Sequence, residues 1–290
     1  MNHPRRSATI LGTILGAAGA LLTLGLQANA SEHHGSLTEE FHHTYAIAPE
    51  GRVELENING DVHISSWDRS EVKVDAVKYA DTKEGLEEAK IEIDSGKDFL
   101  SIQTKYPHND EGRHWGSHNN AASVEYTLTV PRAARLDEIK LINGELDVNG
   151  VHGDIRASCI NGRLEAEGLG GRARLSTVNG HLEAKFAELA GKSVELNSVN
   201  GSVDLTIPSD SNAEVEASTL SGGIHNDFGL RVDNHKFVGH DLRGELGNGG
   251  TDIRISNVNG RIDIHHASDG RAMSPVKDRS KHDKNDDDEI

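Results

Sequence analysis

Four carboxylates recur at one fixed place relative to a turn. Asp147, Glu165, Glu183 and Asp204 each stand four residues after an asparagine that glycine follows. His63, His225 and Asp263 occupy the same column beside other copies of the turn. If successive turns stack, these side chains fall on neighbouring strands about 4.8 Å apart. Like charges that close repel. Relief comes from Arg163 two residues away, from solvent, or from a bound cation. Calcium takes carboxylate oxygens readily, so the column is a candidate site for a divalent cation or a cationic partner. The plainer reading is a solvated outer face. Paired carboxylates also serve glycoside cleavage, but only at a set separation across a substrate groove.

The other chemistry-bearing residues form weaker patterns. The chain has 17 histidines. His33-His34, His42-His43 and His265-His266 are adjacent pairs, and neighbours on a strand face opposite sides, which makes them poor chelators. His108, His114 and His118 share the stretch 107–122 with Asp110, Glu111 and Trp115, a set that zinc or copper could use. Cys159 is the one cysteine, so an intramolecular disulfide is excluded. Nothing local marks it as a nucleophile, and it reads as structural. Residues 247–255, GNGGTDIRI, are one imperfect copy of a calcium-binding glycine–aspartate repeat, and a single copy cannot build a stacked ion site. No nucleophile elbow, phosphate-binding glycine loop or zinc-protease motif is present.

The elements that must position the acidic column are set by the turn itself. Asn59-Gly60, Asn143-Gly144, Asn161-Gly162, Asn179-Gly180, Asn200-Gly201 and Asn259-Gly260 align, with Ser221-Gly222 as a degenerate copy. From Asn143 the spacings are 18, 18, 21 and 21, and the step from Ser221 to Asn259 reads as one repeat plus an insertion. Apolar residues recur one, four and, with one exception, six positions before the asparagine, and three and, again with one exception, five after it. Such alternation on both sides of a turn describes β-strands with one buried face. Asparagine tolerates positive φ and glycine adopts it freely.

Matching apolar columns at a period near 20 residues predict an all-β parallel solenoid, or β-helix-like stack, whose asparagines form a ladder along one edge. The rival is an antiparallel meander or sandwich, because Asn-Gly between alternating strands is also the strongest short hairpin signal.

The remaining segments frame the repeats. Residues 1–30 read as a signal peptide: Arg5 and Arg6, an uncharged run, then Ala28-Asn29-Ala30 as a cleavage site. An uncleaved anchor is the alternative, since the run approaches the roughly 20 residues a span needs. Cleavage leaves a mature chain with no membrane span. Residues 31–43 are a polar lead-in. Residues 44–268 form the repeat domain, divergent over 44–131 and regular over 132–268. Within it TKEGLEEAKIEI contains a short helix, and 227–250 interrupt the repeat as a hairpin or flap. Residues 269–290 are a charged, disordered tail by composition. The formal charge of −17 disfavours nucleic acid and anionic lipid as partners.

The run YTLTVPRAARLDEIKLINGELDVNGVHGDIRASCINGRLEAEGLGGRARLSTVNGHLEAK, with ENINGDVHISSWDRSEVKVDAVK before it, resembles the bacterial putative-adhesin family, exported β-strand-repeat proteins of a domain of unknown function. The resemblance covers roughly residues 50 to 266. It implies a β-solenoid fold and carries no family active site. The sequence thus points to a non-enzymatic protein of the cell envelope or surface. It would be periplasmic or extracellular, presenting a rigid repeat surface to a protein or glycan of envelope or matrix, with no cofactor beyond calcium. The alternative is a secreted carbohydrate-active enzyme on a β-helix. Sugar-stacking platforms are scarce for that role, since only Tyr126, Phe186, Phe228 and Phe237 are aromatic after residue 122.

Overall fold

The computed structural model describes residues 37–106, 122–234 and 239–279. Residues 1–30, read above as a signal peptide, and residues 107–121, which carry His108, His114 and His118, lie outside the described residues. So do His33, His34 and the end of the tail. Among the described residues the chain is all-β with one short helix, Lys83–Glu88. Thr82 caps that helix by accepting a hydrogen bond from the Gly85 amide at 3.1 Å.

The strands form two sheets of mostly parallel strands, one of ten and one of twelve. The fold is a solenoid-like stack and not a closed barrel. Each coil gives the twelve-stranded sheet the strand before its Asn-Gly corner and the ten-stranded sheet the strand after it. The coil turning at Asn161, for example, contributes Ile155–Asn161 and Leu164–Leu169. Inward residues of both strands face one another across the coil. Ile155, Ala157, Leu164 and Ala166 are buried, as are Leu175, Leu182, Leu196 and Val203 on the next two coils. Burying a Leu or Val side chain contributes about 1.5–3 kcal/mol, and every added coil extends the same core.

The corners stack as closely as backbone allows. Asn161 Nδ2 donates to Asn143 Oδ1 at 2.9 Å, Asn179 to Asn161 at 2.9 Å and Asn200 to Asn179 at 3.0 Å. Asn143 continues the ladder to Asn59, and Asn259 joins it to Asn200. The amide of each following glycine bonds in the opposite sense, as Gly180 N does to Asn200 O at 2.9 Å. Gly180 sits at φ +149°, and a Cβ there would lie 1.8 Å from the Gly162 carbonyl oxygen. Only glycine permits that approach.

Three features depart from the sequence-based expectation. First, the coils do not stack in chain order. The strand Val194–Asn200 pairs with Thr251–Asn259, which in turn pairs with Ala213–Ser221. The Asn259 coil therefore lies between the Asn200 and Ser221 coils. At the other end Arg52–Asn59 lies between Phe99–Lys105 and Arg135–Asn143. Every coil has the same inward pattern, so the pattern alone permits any order.

Second, the apolar column immediately before the asparagines points outward. Ile142, Ile160, Val178, Val199, Val258 and Leu220 are exposed. Strand alternation puts positions six, four and two before the corner inside, which leaves the last residue outside.

Third, antiparallel strands flank the stack. Glu71–Ala80 and Leu37–Ala46 extend the ten-stranded sheet at one end. Lys90–Ser95 covers the corresponding edge of the twelve-stranded sheet, and His240–Leu246 covers its other edge. The polar lead-in thus becomes strand from Leu37, because Phe41 and Tyr45 pack onto the core. The charged tail holds a short strand, Val276–Asp278, paired with His240–Leu246. The insertion at 227–250 supplies the antiparallel pair Val232–Asn234 and His240–Leu246.

Candidate binding face

The acidic column is built by the strands that follow the corners. Register pairs place Asp147 beside Glu165, Glu165 beside Glu183, and Glu183 beside Asp204. Asp263 comes next and His225 after it, while His63 precedes Asp147. All project from the outer face of the ten-stranded sheet. Exposure falls along the row, from 36% for the Asp147 side chain to 16% for Asp204 and 14% for Asp263.

Basic side chains within the row and from its two flanking columns meet the carboxylates. His63 Nδ1 lies 2.8 Å from Asp147, and Arg163 lies 3.1 Å from Glu165. Lys185 reaches three carboxylates: it hydrogen-bonds Glu167, lies 2.7 Å from Glu183 and 4.0 Å from Glu165. His181 sits between Glu183 at 3.7 Å and Asp204 at 3.3 Å. His265 joins Asp204 to Asp227, at 3.9 and 2.9 Å, and Arg261 lies 2.7 Å from Asp263. Sequence reasoning named only Arg163. The signal it missed is that the residues two before and two after each acid also form columns, and these hold His181, Lys185, Arg261 and His265.

The electrostatics follow these contacts. The Asp147 hydrogen bond raises the His63 pKa above 6.5. Burial raises Glu165, and the neighbouring Glu183 charge adds to it. Burial works to raise Glu183 too, but Lys185 and His181 leave it below the usual value. Asp204 is raised chiefly by burial, against the His181 charge and with help from Asp263. Lys185 is held well above the ordinary lysine value by its bonds to Glu167 and Glu183.

Glu165, Glu167 and Glu183 bring carboxylate oxygens within 4.8 Å of one another, the one metal-competent group among the described residues. Lys185 lies in their midst, so an internal ammonium already supplies the positive charge that calcium would bring.

The histidine doublets divide between faces. His42 bonds Asp75 at 2.8 Å, while His43 lies against Tyr45, with ring centroids 4.7 Å apart. His265 meets Asp227, and His266 meets the Ser209 hydroxyl at 3.1 Å. Cys159 is buried, and burial pushes its thiol up to about 11, which leaves no thiolate at neutral pH. Residues 247–250 form the turn between His240–Leu246 and Thr251–Asn259. No described helix is long and apolar enough to cross a membrane.

The chain is similar to solved structures at low identity, among them the following two. A putative cell adhesion protein from Clostridium sporogenes is 12% identical, with 80% of this chain and 100% of that chain covered and a TM-score of 0.48. A putative adhesin from Bacteroides fragilis is 9% identical, with 79% and 97% covered and a TM-score of 0.36. Among curated proteins none matches. Residues 49–265 match the family described as Toastrack DUF4097, and the chain belongs to that family.

Proposed function

We propose that this protein is an exported, non-enzymatic component of the cell envelope or surface. It presents a rigid β-repeat face for adhesion or scaffolding. The observation that carries the reading is the outer face of the ten-stranded sheet, where an unbroken row of carboxylates and bases runs in register across seven coils from His63 to His225. A flat, extended row of this kind suits a repeating or elongated partner better than a small substrate. Its excess of acid favours a partner with basic groups. Lys185 among the three glutamates favours direct contact with such a partner over a calcium-bridged one.

Equilibrium binding of fluorescent residues 31–290 to envelope fractions, glycans and matrix proteins, with and without calcium, tests the reading. Saturable binding to one component without its breakdown is the expected result. Sustained hydrolysis of a glycan would replace the proposal with the enzyme alternative.

A further inference from the structure

A second surface lies on the other side of the corner and does not belong to the acidic face. Of the eight large hydrophobic side chains exposed among the described residues, six stand in a single file: Ile142, Ile160, Val178, Val199, Val258 and Leu220. Half-buried Ile58 extends the file at the Asn59 end. Each precedes its corner by one residue, and the corners pair in register from Asn59 to Ser221. The result is a straight aliphatic ridge with one side chain every ~4.8 Å, about 29 Å long over six steps.

The borders of the ridge are neutral. The asparagine ladder runs along one side. Ser158, Ser176, Asn197, Ser256 and Ser218 run along the other, and the one charged pair in that column, Glu56 and Lys140, is bonded to itself at 3.1 Å. The whole chain carries −17, so two copies repel over most of their surfaces. The ridge is a strip on which they can meet without opposing carboxylates.

We propose that the ridge is a self-contact, and that its occupant is the same ridge of a second copy. A partner that shares the ~4.8 Å period stays in step along the full length, and another copy of this chain has that period by construction. A two-fold axis through Val178 sets the ridges antiparallel. Ile160 then faces Val199 of the second copy, Ile142 faces Val258, and Ile58 faces Leu220, so a larger side chain meets a smaller one at the two inner steps. A strip about 29 Å long and roughly 10 Å wide covers about 300 Å² per copy, well under the ~800 Å² of a stable interface. The isolated contact is therefore weak, in the high-micromolar range or above, and it closes at the dimer because each copy spends its one ridge on a single partner. The proposal does not depend on the envelope reading, because purified protein alone tests it.

Sedimentation equilibrium of residues 31–290 over a wide concentration range, at low and high salt, reads it directly. The expected result is reversible self-association that strengthens with salt, as screening removes the −17 repulsion. The variant I160T/V178T/V199T keeps β-branching, and hence strand preference, while adding hydroxyls. It should fold with an unchanged urea midpoint within error and bind itself at least tenfold more weakly. Geometry has its own probe, since the native thiol is buried. V178C should crosslink to itself. I142C and V258C should crosslink mainly when mixed with each other.

A chain that stays monomeric at every concentration and salt overturns the proposal. So does association that survives the triple variant, or crosslinking indifferent to position. Binding of the monomer to phosphatidylcholine vesicles through the ridge would assign the strip to lipid and overturn it as well.

Discussion

The two outer faces share one ladder and differ in almost everything laid upon it. Past the corner, the ten-stranded sheet shows a carboxylate on coil after coil, each met by a histidine, lysine or arginine from the row itself or from a flanking column. Before the corner, the twelve-stranded sheet shows serine, then an aliphatic ridge, then asparagine. Spacing, register and strand direction are common to both. Packing inside the coil dictates the inward columns, so they repeat with little variation. The outward columns are free of that demand, and their uniformity therefore says more about what the faces meet than about how the chain folds.

The change that should erase both faces together is Gly180→Ala. Its Cβ would meet the Gly162 carbonyl oxygen at 1.8 Å, an unyielding backbone contact, at a φ that side chains rarely adopt. A loss of about 4 kcal/mol or outright failure to fold is expected in urea titration. Gly191→Ala, at φ +72° with open space around it, should cost only about 1 kcal/mol.

Asn179→Ala weakens the seam between the faces without a clash. It removes the bonds to Asn161 and from Asn200, and the urea midpoint should fall by the equivalent of about 1–2 kcal/mol.

Lys185→Met separates the faces, because it strips the shared cation from Glu165, Glu167 and Glu183 and leaves the ridge intact. The side chain is 40% exposed, so solvent screening holds the loss to about 1 kcal/mol at neutral pH. The Lys185–Glu183 contribution is present above the ordinary glutamate value of 4.5, so the loss should shrink only as pH falls through the lowered folded value of Glu183. Thermal unfolding with and without calcium should show a calcium-dependent rise in the variant larger than in the native chain.

The smallest effect is the finest probe of the acidic face. His63 has a raised folded pKa, so its bond to Asp147 contributes fully below the ordinary value of 6.5 and is lost as pH rises through the folded value. An NMR titration of the His63 ring should show that raised value in the native chain and a return toward 6.5 in Asp147→Asn. An unmoved value would mean that the bond does not set it.

The central coils were legible because their residues obey one rule at every turn. The columns four before and three after each asparagine named Leu175, Leu182, Leu196 and Val203 as interior. The order of the coils was hidden by that same uniformity: Ile253 pairs with Val194 as readily as Val215 would. Ile160 and its relatives are apolar like the core columns, and only counting outward from Ile155 and Ala157 shows that they face solvent. The strand from Leu37 and the strand Val276–Asp278 depend on antiparallel partners far along the chain, which no local periodicity encodes. Lys185 escaped notice because, besides Glu183 on its own strand, it reaches across to Glu167 and Glu165 on the neighbouring one.

The displaced position of the Asn259 coil bears on how such a protein can be shortened or lengthened. In an ordinary stack the last repeat translated is the last layer, and removing it leaves a shorter but complete stack. Here a chain ending before Thr251 would lack an inner layer and leave Val194–Asn200 and Ala213–Ser221 without the strand that joins them. The Arg52–Asn59 strand has the same standing near the other end. Growth by duplication is therefore confined to the run between Arg135 and Ile207, where chain order and spatial order agree.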